Sequence, residues 1–264
     1  MELYKNGLPT NDFTFHKYPA GECYFKGEPK LNTVYTAVSR GVHMEDMLKL
    51  SLLEEIFENY HSQLRLVLPY LPGARDDKGY RGAEKYVRLI GQVSMCAIHT
   101  FDPHSGFMLN KFRYGNSHDS VSAVQAAFDR QTLAGIIAPD KGASQRAKAV
   151  AKAMDLPCFH AEKTRDQATG KLSGFTCQPL PDTGRLLVVD DICDGGGTFM
   201  GLAEVTGLPP ERLALWVSHG IFSGNAIWLR DHYGEIATTD SFPSLTQVAH
   251  TIIPVLDHMP GVLT

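Results

Sequence analysis

The chain has 264 residues, 43% hydrophobic and 20% charged, with a formal net charge of −4. That balance excludes a disordered or low-complexity protein and gives no global attraction to nucleic acid or to an anionic membrane. Its five cysteines include no C-x-x-C pair, which argues against a disulfide framework or a structural zinc site. The N-terminus lacks a signal-peptide core and no apolar run approaches the ~20 residues of a membrane span, so a cytoplasmic protein is expected.

In chain order, short Val/Ile/Leu-rich runs occur at Thr33–Val38, Leu64–Leu68, Val93–His99, Gly135–Ala138, Leu186–Val189 and Leu213–Val217. Continuous rather than alternating hydrophobicity predicts strands buried on both faces, as in a parallel sheet. Between them, Met44–Tyr60 predicts a helix with Met44, Met47, Leu48, Leu52, Ile56 and Tyr60 on one stripe. Polar Asn110–Asp119 reads as a domain joint. Ser144–Met154 predicts a second helix, capped by Ser144 and burying Ala147, Val150, Ala151 and Met154. Gln167–Gly184 has no clear period and reads as a mobile loop of lid type, whereas Ser244–Thr264 carries a weak helical pattern. Strand–helix alternation places the chain in the α/β class with right-handed crossovers.

The strongest local signal is Arg185–Met200. It reads as a buried strand, then Asp190 and Asp191, then Asp194-Gly195-Gly196-Gly197-Thr198 at a helix start near Thr198. Ligands of open α/β sheets sit beyond the carboxyl ends of strands. Glycines let backbone N–H groups turn inward around an oxyanion, and the helix start adds positive dipole. Asp190 and Asp191 are electrically wrong for that anion but suit sugar hydroxyls or hydrated magnesium. The segment is neither a Walker loop nor a G-x-G-x-x-G fingerprint.

Seven ordered segments resemble the ribose-phosphate pyrophosphokinases. The glycine loop alone matches only the wider type I phosphoribosyltransferase fold. Tyr18-Pro-Ala-Gly-Glu22 resembles that family's Phe-Pro-Asp-Gly-Glu, and Pro69–Lys78 its Pro-Tyr-x-x-x-Ala-Arg-Gln-Asp-Lys/Arg. Asp102-Pro-His104 is similar to Asp-Leu-His, Pro139–Ala147 to Pro-Asp-x-Gly-Gly-x-x-Arg-Ala, Lys163-Thr-Arg165 to the flexible loop's Lys-x-Arg, and Ser218–Ala226 to Thr-His-x-x-x-Ser-Gly-x-Ala. The resemblance implies two stacked phosphoribosyltransferase-type lobes, each a mostly parallel sheet flanked by helices: residues 1–116 on the ATP side and 117–264 carrying the sugar-phosphate loop. It implies magnesium-dependent transfer of pyrophosphate from ATP to the anomeric hydroxyl of a 5-phosphorylated ribose, with Lys163 and Arg165 catalytic. Gly21, Glu22, Arg75, Asp76, Asp77 and His104 are the implied ATP contacts, and His104 and Asp140 the implied metal contacts. Asp190, Asp191, Asp194, Gly195, Gly196, Gly197 and Thr198 are the implied ribose-phosphate contacts. Homo-oligomerisation is implied too, because the Gly21–Glu22 contacts come from a neighbouring subunit in that family.

Three departures stand out. Little chain precedes Tyr18, so the family's first βα unit is expected to be missing or replaced. Ala20 and Asp76 replace an Asp and a Gln on the adenine side, and Asp lacks the amide donor of Gln. The loop is richer in glycine than the family's, which leaves room for a larger acceptor such as ADP-ribose. A phosphoribosyltransferase and a non-catalytic regulatory homologue are the competing readings.

Overall fold

A computed structural model describes residues 1–41, 44–73, 75, 82–92, 97–165 and 172–263. The chain forms two compact units, Met1–His118 with Met259–Thr264, and Asp119–His258. In the first, β1 (Glu2–Lys5) and β2 (Leu8–Pro9) form an antiparallel edge ribbon, and β3 (Phe13–Lys17) and β4 (Cys23–Gly27) a separate hairpin. Beside β1 lie β5 (Val34–Val38), β6 (Gln63–Val67), β7 (Ile98–Phe101) and β8 (Gly115–His118), mutually parallel, in the sheet order β2-β1-β5-β6-β7-β8. Helices α1 (Met44–Asn59) and α2 (Gly82–Gln92) make the crossovers between parallel strands, and the one-turn α3 (Gly106–Leu109) precedes β8. Tyr35, Ala37, Leu64, Leu66 and Ile98 pack with Leu50, Leu53, Phe57 and Ile90 of the helices into one core.

The second unit runs α4 (Val121–Ala127), β9 (Leu133–Ala138), α5 (Ser144–Met154), β10 (Cys158–Arg165), β11 (Leu172–Cys177), β12 (Arg185–Cys193), α6 (Gly197–Thr206), β13 (Leu213–Gly220), β14 (Glu235–Thr239) and β15 (Thr251–Ile253). Its sheet order is β11-β10-β9-β12-β13-β14-β15, parallel throughout except for β11 at the edge. All eight residues of β13 are buried, which explains its unbroken apolar run. Among the described residues, no helix is long and apolar enough to cross a membrane.

Several sequence expectations need correction. In α1 the buried face is Met47, Leu50, Leu53 and Phe57, while Met44 and Leu48 are exposed. Apolar and polar residues are interspersed all round that helix, so periodicity underdetermines its face. Ser144 opens α5 instead of capping it; the position before the helix is Ala143. The predicted buried set Ala147, Val150, Ala151 and Met154 is buried as expected. The predicted loop 167–184 contains β11, which pairs antiparallel with β10; residues 166–171 lie outside the described residues. In the run at Val93–His99, Ile98 and His99 are strand, and residues 93–96 lie outside the described residues. The joint at Asn110–Asp119 contains edge strand β8, and the weak helical pattern at Ser244–Thr264 is β15 plus a short 3₁₀ turn, Val255–His258. Ahead of Tyr18, β1 occupies a place in the sheet, antiparallel to β5.

Candidate active site

In the second unit the parallel strands deliver their polar tips to the carboxyl-end edge of the sheet. Strand β9 ends at Ala138 and leads through Pro139 to Asp140, whose Oδ1 accepts the N–H of Ala143 at 3.1 Å. A Cβ at Gly142 would stand 3.1 Å from that oxygen, so the glycine keeps the carboxylate approachable. Asp190 and Asp191 lie near the carboxyl end of β12, which continues past the predicted strand end to Cys193, with side chains 14% and 5% exposed. Arg146 of α5 points at both: its Nη1 lies 3.5 Å from Asp190 Oδ1 and 3.8 Å from Asp191 Oδ1. Burial first, then the adjacent Asp191 charge, push the Asp190 carboxyl well above its ordinary range, against the pull of Arg146. Burial, followed by the charges of Asp190 and Asp194, raises the Cys193 thiol to about 12.

Beyond Cys193 the loop turns at Gly196, whose φ of 81° and ψ of −5° precede the first residue of α6. A left-handed residue there costs an L side chain about 1–2 kcal/mol, which explains a glycine at this position. In the first turn of α6 the N–H groups of Phe199 and Met200 bond the Gly196 carbonyl at 3.0 Å, and those of Gly197 and Thr198 precede the first bond of the helix. A Cβ at Gly195 or Gly197 would meet nothing within 4 Å, so the flanks of the loop are open.

The Ser218–Ala226 segment buttresses this loop. The N–H groups of Ile221 and Phe222 bond the Cys193 carbonyl at 2.9 and 3.2 Å, and Ser223 N–H bonds the Asp194 carbonyl at 3.1 Å. The Ser223 hydroxyl donates to the Asp194 carboxylate. Thr239 and Ser241 hydroxyls in turn hold the Ser218 carbonyl at 2.6 and 3.1 Å. Arg146 and Ser223 fall within the segments Pro139–Ala147 and Ser218–Ala226, but the sequence gives neither a role; the fold places one beside the Asp pair and bonds the other to Asp194.

The remaining sequence candidates fall as follows. Lys163 and Arg165 lie on β10, where Lys163 pairs with Phe175; their side chains lie outside what the structure describes. The register shifts between Thr164 and Arg165, where β11 passes over Ser173 from Gly174 to Leu172. Gly21 and Glu22 sit in the β3–β4 turn, where Gly21 has φ 96° and the Glu22 carbonyl accepts Tyr18 N–H at 2.9 Å. His104 and Arg75 are exposed in the first unit, after β7 and β6. Asp76 and Asp77 lie outside the described residues. Among the described residues no three His, Cys, Asp or Glu side chains converge as a metal cage. Hard carboxylates near strand ends, with Asp140 kept approachable, fit magnesium, which takes most of its ligands from water and phosphate.

Residues 123–206 match the model of the phosphoribosyl transferase domain. The chain is 28% identical over 252 residues to a ribose-phosphate pyrophosphokinase of Pyrococcus furiosus, covering 91% of this chain and 89% of the relative. It is 28% identical to the one of Thermococcus kodakarensis over 92% of this chain and 90% of that protein. A crystal structure of phosphoribosylpyrophosphate synthetase from Mycobacterium smegmatis superposes with a TM-score of 0.73 at 16% identity, over 94% of this chain and 88% of that one, which shows a shared fold. Over about nine-tenths of its length the chain is thus similar to the ribose-phosphate pyrophosphokinases, and the match to the phosphoribosyl transferase domain falls in its second unit.

Proposed function

We propose that the protein is an enzyme that moves the β,γ-diphosphate of ATP to the anomeric hydroxyl of a 5-phosphorylated ribose, with ribose 5-phosphate the default acceptor. The anomeric oxygen attacks the β-phosphorus, the bond from that phosphorus to the α-phosphate oxygen breaks, and AMP departs; the hydroxyl proton is lost. The observation that carries this reading is the end of β12: two carboxylates followed, five residues on, by a left-handed glycine turn into a helix N-terminus.

In this reading the amides of Gly195–Thr198, with the Thr198 hydroxyl, hold the 5-phosphate, while Asp190 and Asp191 accept the ribose hydroxyls. Asp194 shapes the loop through Ser223. Lys163 and Arg165 meet the migrating diphosphate, Arg165 with the planar fork that suits phosphate oxygens. By resemblance, His104 in the first unit and Asp140 in the second are each assigned to Mg²⁺ and the ATP phosphates, where the ion would neutralise phosphate charge. Gly21, Glu22, Arg75, Asp76 and Asp77 are assigned to the nucleotide. By resemblance, Gly21 and Glu22 would serve a neighbouring copy, which sedimentation of the purified protein tests.

The open flanks at Gly195 and Gly197 favour a second acceptor, ADP-ribose, whose first phosphate would use the same loop while the rest extends outward. Incubation with magnesium, ATP and either acceptor, read by mass spectrometry, decides. AMP with a diphosphorylated product from ribose 5-phosphate supports the default, and product from ADP-ribose alone supports the larger acceptor. Transfer of a ribose phosphate to a base without ATP turnover would point to a phosphoribosyltransferase. No product at all would favour a non-catalytic homologue.

A further inference from the structure

Arg146 occupies an unfavourable place for a cation. It lies in the first turn of α5, where the helix dipole disfavours positive charge and the turn itself contains no acidic residue. Its side chain is only 13% exposed. Two adjacent strand residues ordinarily direct their side chains to opposite faces, so Asp190 and Asp191 should diverge. Instead one nitrogen, Nη1, stands within 4 Å of a carboxylate oxygen of each, at 3.5 and 3.8 Å. A single cation shared by two carboxylates offsets their mutual repulsion and draws both toward one point. The Asp190 oxygen it faces also accepts the N–H of Asp191 at 2.9 Å, which fixes that carboxylate against its own backbone. A vicinal diol needs two acceptors that converge in this way, and the β12 strand alone does not supply the convergence.

We infer that Arg146 is the positioning residue for the acceptor's ribose diol: it gathers Asp190 and Asp191 to the same side of the β12 tip so that one sugar engages both. This rests on the acceptor reading above. Its role differs from that of the glycine loop, which meets the phosphate and not the hydroxyls. The readout is therefore discrimination between ribose 5-phosphate and 2-deoxyribose 5-phosphate, measured by calorimetric titration of the full chain with magnesium and a non-hydrolysable ATP analogue present.

Wild type should bind the ribose form more tightly than the deoxy form. Arg146→Met should weaken ribose 5-phosphate roughly 10–100-fold and collapse the preference toward unity, because the deoxy sugar has less to lose. Arg146→Lys, a single-point cation on the same stem length class, should restore part of both. Should Arg146→Met fail to fold by circular dichroism, Arg146→Gln is read in its place. Binding within twofold of wild type with the preference intact overturns the inference, as does equal loss of both sugars without rescue by Lys. If wild type binds neither ribose 5-phosphate nor ADP-ribose, the acceptor reading itself falls. Those results are distinguishable because the first two leave wild-type binding in place.

Discussion

Asp190 stands between opposing influences. Burial and the neighbouring Asp191 favour its neutral form, whereas Arg146 favours the anion. Asp190→Asn removes the charge yet keeps an acceptor oxygen, so it tests the anion alone. The expected result is an acceptor KM roughly 10–100-fold higher, the worth of a hydrogen bond to a charged group, with the KM for ATP within about twofold. Steady-state AMP release checks both, and equal rises in the two constants would remove Asp190 from the sugar. A second residue gives a pH signature in the first unit. His99 is half-buried, and its ring stacks on that of His118 with Nδ1 3.2 Å from His118 Nε2. Burial, then His118, then Arg65 lower its pKa to about 4. The unfolded chain, near 6.5, takes up the proton first, so stability is full above that value and declines as pH falls toward about 4. Thermal melts between pH 7.5 and pH 5 should show this decline, and His99→Gln should flatten it; an unchanged slope in the variant would assign the decline elsewhere.

At the scale of elements, the loop between β12 and α6 separates backbone demands from ligand demands. Gly196 is left-handed, and a Cβ there would lie 3.1 Å from Leu229 Cδ1. Gly195 and Gly197 have open space. Gly196→Val should therefore lower stability by about 1–3 kcal/mol in addition to abolishing acceptor binding. Gly195→Ala should melt like wild type but raise the acceptor KM, since its methyl enters the space assigned to the phosphate. Chemical denaturation beside kinetics tells the two apart, and normal turnover by the valine variant would refute the loop assignment. This loop was legible in the sequence because its signal is local: a buried run, two acids, glycines and a helix start within fourteen residues. Strands β9, β12 and β13 were legible for the same reason, being apolar on both faces. Arg146 and Ser223 were not, because their partners are 44 and 29 residues away in sequence, and only strand order brings them near. Ribbon β10–β11 escaped because an edge strand paired on one side, with Gly, Ser and Thr, lacks the apolar run that marks a central strand. The β1–β2 ribbon, short and half-exposed, escaped likewise.

At the scale of the whole molecule, the chain leaves the first unit after His118 and rejoins it at Met259. The returning segment is small but well held. Met259 and Val262 are each 1% exposed, and the Val262 carbonyl accepts from Thr36 Oγ1 at 3.1 Å and from Arg65 Nη1 at 3.1 Å. Arg65 also reaches the Gly261 carbonyl at 3.0 Å. Burying each apolar side chain contributes about 1.5–3 kcal/mol, and Thr36, a buried residue, would lose its acceptor at a further cost of about 1–3 kcal/mol. Those amounts are large beside a domain stability of about 5–15 kcal/mol. Deleting residues 259–264 should therefore destabilise the first unit selectively, while the second, with its own core around Leu186, Leu215, Val217 and Phe222, keeps its fold. Limited proteolysis across a urea series would show this as early cleavage confined to residues 1–118. Truncation that leaves the cleavage pattern unchanged, or that opens the second unit first, would mean that the final six residues add nothing to the sheet they contact.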